Sequence, residues 1–253
     1  MKSISRRRLI AECGAAAVAS TVLKMKTARA AEADGDRHLR ILVAGGHPGD
    51  PEAGCGGIIA RYVQMGHSVT VLYLTRGEGT DPKKAKEAAT IRSAEAEAAC
   101  KILGATPVFA TQIDAVTEIN KERSAEFVQL IDAAKPDVVF TQWPVDTHPD
   151  HRVCASLTIG AWMTLGRKFA LYYYEVDLGS DTQCFRPSHY VDVEAVEKLK
   201  RAACMAHRSQ NPEGFYLKDH VPMLQFRGME CGRKMAEGFA HHDASPLGTL
   251  PVF

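Results

Sequence analysis

Arg40-Ile41-Leu42-Val43-Ala44-Gly45-Gly46-His47-Pro48-Gly49-Asp50-Pro51-Glu52 is the stretch that decides the fold. A short apolar run closing in a Gly-Gly pair has the pattern of a strand buried on both faces that ends in a turn. Residues 56–65 follow with Ile58, Ile59, Tyr62 and Val63 at helical spacing, and residues 69–74 form a second apolar run. Working outward from this strand–helix–strand unit, residues 85–103 read as an Ala/Glu/Lys-rich amphipathic helix stopped by Gly104. Residues 108–111 read as a third strand, 124–134 as a helix, and Val138-Val139-Phe140 as a fourth strand. Beyond Pro149 come a helix to about residue 165, a strand over 169–176 with three successive tyrosines, and helices over 193–206 and 222–239. This alternation predicts an α/β fold: a Rossmann-like, doubly wound, mostly parallel sheet with helices on both faces, in a single domain over residues 31–253. Ligands of such a sheet lie outside the carboxyl ends of its strands.

The first thirty residues stand apart. Ser5-Arg6-Arg7-Arg8-Leu9-Ile10 is a twin-arginine pattern, residues 13–23 are mildly apolar, and Ala28-Arg29-Ala30 is an Ala-x-Ala site for a signal peptidase. Residues 1–30 are therefore expected to be a removed export signal, which places the mature chain in a periplasm or outside the cell. The apolar stretch is well short of the ~20 residues that span a bilayer, so no stable membrane anchor is expected. Without these residues the chain keeps 24 basic and 29 acidic side chains, a net charge of about −5 that argues against nucleic acid as a partner. Six cysteines remain, with no Cys-x-x-Cys pair, so neither a zinc knuckle nor a thioredoxin-like motif is indicated and buried free thiols are expected. Nothing in the sequence separates a free chain from a homo-oligomer.

Two segments carry chemistry: residues 46–52 directly after the first strand, and His148-Pro149-Asp150-His151 shortly after the fourth. Both fall where a doubly wound sheet builds its site. A catalytic zinc takes about three imidazole or carboxylate ligands and leaves a position open, and two His plus one carboxylate meet that need. A lone His near a strand end is usually a surface or hydrogen-bonded residue, but two clusters together point to a metal. Proline beside each first His stiffens its loop, and the i,i+3 spacing of His148 and His151 turns both imidazoles to one side.

These motifs resemble those of the LmbE-like, or PIG-L, family of zinc-dependent N-acetylglucosaminyl deacetylases, over nearly the whole mature chain. The family's His-Pro-Asp-Asp-Glu and Gly-Cys-Gly-Gly segments look like residues 47–52 and 54–57, and its His-Pro-Asp-His segment is matched in full at 148–151. Fainter echoes are Thr75-Arg76-Gly77-Glu78, Arg92-Ser93-Ala94-Glu95, the strand Tyr190-Val191-Asp192 and Ala206-His207-Arg208-Ser209-Gln210. The resemblance implies that His47, Asp50 and His151 hold Zn2+, that His148 stabilises or protonates the reacting group and that Asp150 orients His148. It also implies that Arg92 contacts a small N-acylated sugar substrate, with Asp114 a looser candidate for the same task. His207 is expected to pack or to hydrogen-bond behind the site rather than to catalyse.

One departure matters. The family's general-base aspartate is Gly49 here, and glycine cannot take a proton. Glu52, Asp146 and His148 are the candidates to replace it, unless the metal alone acidifies the water. The expected activity is hydrolysis of an N-acetylated sugar, and the alternative is an exported, metal-containing sugar-binding protein with little turnover. Two His and one carboxylate also suit Fe2+. A dinucleotide site is disfavoured, because glycines 45, 46, 49, 54, 56 and 57 do not form Gly-x-Gly-x-x-Gly and prolines 48 and 51 interrupt the turn.

Overall fold

The computed structural model describes residues 37–176 and 181–251, so the expected export signal lies outside the described residues. The opening apolar run forms β1 (Arg40–Gly45), flanked in parallel by β2 (Ser68–Tyr73) and β4 (Val138–Gln142), with Ile41 opposite both Val69 and Val138. β3 (Thr106–Phe109) extends the sheet beyond β2, and β5 (Ala170–Tyr174) extends it beyond β4. The order β3-β2-β1-β4-β5 reverses between β1 and β4, which is the doubly wound arrangement expected. Two antiparallel strands complete the far edge: β7 (Ala236–His241) pairs with β5, and β6 (His189–Asp192) pairs with β7.

The helices are α1 (Asp50–Gln64), α2 (Ala85–Leu103), α3 (Lys121–Ala134), α4 (Pro149–Thr164), α5 (Glu197–Ala206), α6 (Pro212–Phe215) and α7 (Val221–Cys231). A π-helical turn, Tyr216–His220, joins α6 to α7. Successive strand residues point to opposite faces, so Ile41 and Val43 pack with α1, α2 and α5, while Leu42 and Ala44 pack with α3 and α4. Both faces are therefore covered, as a parallel sheet requires. Among the described residues no helix is long and apolar enough to cross a membrane. The six described cysteines are free; Cys55, Cys100, Cys154 and Cys204 are buried, Cys231 is half-buried and Cys184 is exposed.

Two boundaries differ from expectation by more than a few residues. The first helix begins at Asp50 rather than at 56, because Pro51 fits a first helical turn and the Glu52 carboxylate accepts the Gly49 N–H at 3.1 Å. The helix expected over 222–239 is two elements. Gly232, in the left-handed region at φ 73°, ends α7, and residues 236–241 become β7. Helix formers in Met235-Ala236-Glu237 disguise that strand; pairing with β5 and the packing of Phe239 on Phe140, ring centroids 5.0 Å apart, override them.

Close approach of α1 to the sheet depends on its glycines. A Cβ at Gly54 would fall 2.2 Å from the Tyr174 ring, and one at Gly57 would fall 2.4 Å from Val193. A fully buried ion pair then ties three elements together. Lys200 on α5 donates to Glu237 on β7 at 2.7 Å and to the Ala53 carbonyl at 2.6 Å, while Glu237 accepts the N–H groups of Gly57 and Ile58. With every polar atom paired, the pair braces α1, the helix that carries Asp50.

Candidate metal centre

His47 lies in the loop between β1 and α1, and Asp50 is the first residue of α1. His148 caps α4, with Asp150 and His151 in its first turn. Both loops leave neighbouring strands at the point where the sheet order reverses. Asp50 is the hub. Its Oδ2 accepts the backbone N–H of His47 at 2.8 Å and Gln142 Nε2 at 3.0 Å, and it stands 3.1 Å from His47 Nδ1 and 3.2 Å from His151 Nε2. Ligands of a tetrahedral zinc at its usual bond lengths stand roughly 3.3 Å apart, so each of these two histidine nitrogens stands at ligand spacing from Asp50 Oδ2.

Each imidazole is held at its other nitrogen by a buried carboxylate. Asp150 Oδ2 lies 3.0 Å from His47 Nε2, and Asp146 Oδ1 lies 3.1 Å from His151 Nδ1. Such partners fix the ring orientation and tautomer of metal-binding histidines. Among the described residues two groupings bring donor atoms within 4.8 Å of one another, neither of them including Asp50: His47 with His148 and His151, and His47 with Asp114, His148 and Asp150. Imidazole nitrogen with carboxylate oxygen is a donor chemistry that fits a borderline divalent metal.

The electrostatics are those of a basin for a cation. Burial opposes charge on His47, but Asp50, Asp114 and Asp150 outweigh it and hold its pKa well above the usual imidazole value. Burial likewise opposes charge on His151, which Asp50 and Asp146 nevertheless push up to about 9. Burial would raise Asp50, yet His151 and His47 hold it well below the carboxylate range. His148 behaves differently: burial, then repulsion from His47 and His151, lowers its pKa and keeps it neutral.

The remaining expected residues lie around this hub, and Asp150 does not take the expected position of orienting His148 through its carboxylate. The Asp150 carboxylate faces His47, the Ala115 N–H (2.8 Å) and Thr117 Oγ1 (2.5 Å); only its backbone N–H reaches His148 Nδ1, at 3.3 Å. His148, as the cap of α4, turns its ring back onto that amide instead of onto the carboxylate. Asp146 accepts from the His148 N–H and from Thr182 as well as facing His151. Glu52 is fully buried behind the loop, accepting Tyr73 Oη–H at 2.5 Å and lying 3.3 Å from His207 Nε2. Arg92 donates to the carbonyls of Pro48 (3.1 Å) and Gly77 (3.2 Å) and to Gln210 Oε1 (2.9 Å), clamping the loop that carries His47. Asp114 lies 3.3 Å from His47 Nε2 and accepts the Gly79 N–H.

A cavity of about 280 Å³ opens over the hub, with His148, Arg92 and Asp114 among its lining residues. A Cβ built on Gly49 would stand 3.5 Å from Gln210 Nε2 and 3.9 Å from His207 Cγ, so there is room for a side chain there. The backbone is what disfavours one: Gly49 has φ 111° and ψ −34°, a conformation that residues with a Cβ rarely adopt. His207 is buried beside Glu52 and is also among the lining residues of the cavity. Phe215, Tyr216 and His220 line it too, and no sequence motif marks them.

Residues 42–162 match the family model described as GlcNAc-PI de-N-acetylase, PIG-L. Over 153 residues the chain is 31% identical to the 1D-myo-inositol 2-acetamido-2-deoxy-alpha-D-glucopyranoside deacetylase of Actinosynnema mirum, a match that takes in 48% of this chain and 54% of that enzyme. The chain thus spans about half the length of that curated relative. A conserved protein of Thermus thermophilus is similar at 31% identity over 85% of this chain and 97% of its own, with a TM-score of 0.69. The N,N'-diacetylchitobiose deacetylase of Pyrococcus horikoshii shares the fold at 23% identity and TM-score 0.71, over 85% of this chain and 90% of its own. The 4-carboxy-2-hydroxymuconate hydratase of Pseudomonas putida shares it at 21% identity and TM-score 0.71, over 85% of this chain and 100% of its own.

Proposed function

Because the chain belongs to the PIG-L, LmbE-like family, we propose that it is a metal-dependent hydrolase that removes the acyl group from an N-acylated sugar such as an N-acetylglucosamine derivative. The observation that carries this reading is the convergence of both histidine motifs on Asp50, at 3.1 and 3.2 Å, on a cavity that also holds a neutral His148. His47, Asp50 and His151 would hold the metal. They are preferred to the two groupings that omit Asp50 because each imidazole then keeps its outer nitrogen on a carboxylate. Zinc is the first choice and Fe2+ the second. When bound, such an ion polarises an amide carbonyl and lowers the pKa of water.

The chain's own groups supply the rest. His148 Nδ1 accepts the Asp150 N–H, so the neutral ring carries its proton on Nε2. That N–H can donate a hydrogen bond to the oxyanion that develops on the acyl oxygen, which is where fixed donors contribute most. Arg92 and Asp114 are the candidates for contact with the sugar. Glu52 and Asp146 are read as supports, since each carboxylate is already engaged by two or more donors or imidazoles. With no carboxylate at position 49, turnover is expected to be slow by ~10²–10⁴-fold relative to a site with a positioned base. The second reading, a metal-containing sugar-binding protein, rests on the glycine-only backbone at that position.

The test is acetate release across a panel of N-acetylated sugars, with the metal supplied and with it chelated. Metal-dependent release with appearance of the free amine is expected; binding without release on every sugar favours the second reading. Residues 1–30 are proposed to direct export, which cell fractionation of an Arg6→Lys, Arg7→Lys double variant tests: the variant should accumulate unprocessed inside the cell.

A further inference from the structure

α6, the π-helical turn and the start of α7 bring a second set of side chains to the cavity. His220, the last residue of the turn, is 1% exposed and lines the cavity, and neither of its ring nitrogens has a hydrogen-bond partner among the described residues. Buried polar side chains are nearly always paired, so an orphan of this kind calls for an outside partner. The segment that places it is itself unusual, since π-helical turns have poorer geometry than α-helix and recur at functional sites. Phe215, 39% exposed, packs edge-to-face against the imidazole with centroids 4.6 Å apart, and it lines the same cavity.

The charge state of the ring follows from its surroundings. Burial and the ammonium of Lys200 push its pKa down to about 3 against the weaker pull of Asp50, so the imidazole is neutral and offers one N–H donor and one acceptor. An aromatic face beside a spare donor and acceptor complements a sugar ring, which presents C–H groups on its faces and hydroxyls at its edge. A cavity of about 280 Å³ is at the small end for ligand sites, in keeping with a single ring.

We propose that His220 and Phe215 form the subsite that holds the sugar ring of the substrate, a sugar hydroxyl completing the hydrogen bonding of the imidazole. The proposal rests on the reading of the chain as an N-acylsugar hydrolase and adds to it the residues that select the sugar.

The experiment compares metal-loaded full-length protein with its His220→Phe, His220→Gln and Phe215→Ala variants by calorimetric titration of N-acetylglucosamine, by acetate release and by thermal melting. His220→Phe should weaken binding and raise KM about tenfold or more while kcat changes little, and it should melt no lower than the parent because an orphaned polar group has gone. His220→Gln, which keeps a donor and an acceptor, should recover most of the affinity. Unchanged affinity in His220→Phe, or a lower melting temperature with no change in KM, overturns the subsite. Wild-type protein that binds the sugar, and loses that binding in His220→Phe, but releases no acetate keeps the subsite and overturns the hydrolase reading. Wild-type protein that neither binds nor hydrolyses any sugar of the panel overturns both.

Discussion

The motif side of the cavity and the Phe215–His220 side are built on opposite principles. On the motif side, Asp50 accepts four donors or imidazole nitrogens, both candidate ligand histidines are held at each nitrogen, and Arg92 clamps the loop from the cavity wall. On the Phe215–His220 side, a π-helical turn presents a buried imidazole with no hydrogen-bond partner among the described residues. The first side is over-determined and so preorganised for one geometry. The second keeps bonding capacity in reserve, which is what a surface needs if it is to recognise something that arrives later.

The sharpest way to break this contrast is to remove a ligand. His151→Ala should lose stoichiometric metal and more than ~10²-fold in turnover, with the fold intact by circular dichroism; elemental analysis that finds a full complement of metal in the variant would transfer the centre to another donor set. Next comes the brace beneath α1. Lys200→Met leaves Glu237 buried without its counter-charge and should lower unfolding stability by about 3–5 kcal/mol in urea denaturation. A loss below about 1 kcal/mol would mean that the two backbone N–H donors alone satisfy Glu237.

Smaller effects sharpen the contrast rather than break it. Asp146→Asn keeps the shape beside His151 but weakens its hold on Nδ1, and metal affinity should fall ~10–100-fold by competition with a chelating dye. On the other side, His220 gives a pH signature of definite sign. Its folded pKa is pushed down to about 3 against an ordinary value of 6.5, so between those limits the unfolded chain binds a proton that the folded chain does not. Stability should therefore fall as pH drops below 6.5, with His220 contributing up to ~1.4 kcal/mol per pH unit and nothing above neutrality. His220→Leu should flatten the acid limb of the stability curve by that amount, and an identical limb in both proteins would show that the ring is already charged or solvated.

The strands and helices that carry the motifs were legible because their apolar spacing is unambiguous and their punctuation is glycine and proline. The motif side of the site was legible for a related reason: its chemistry is contiguous in sequence, His47 with Asp50 and His148 with His151. What escaped was anything decided by tertiary partners. Residues 236–241 look helical until β5 offers them an edge. The direction of the Asp150 carboxylate depends on His148 capping α4, and the orphaned state of His220 is a relation among α5, the π-helical turn and the cavity that no local pattern encodes.

Gly49 constrains how the site can be changed. Its φ of 111° means that an aspartate introduced there would arrive on a backbone that resists it, costing about 1–3 kcal/mol before any chemistry is gained. Pro51 fixes the next turn, and Glu52 is bonded to the Gly49 amide, so the three residues hold one another in place. An aspartate introduced at 49 would therefore meet both a strained backbone and neighbours that hold that backbone in place. Residues 49–52 are thus expected to tolerate substitution better as a block than one at a time.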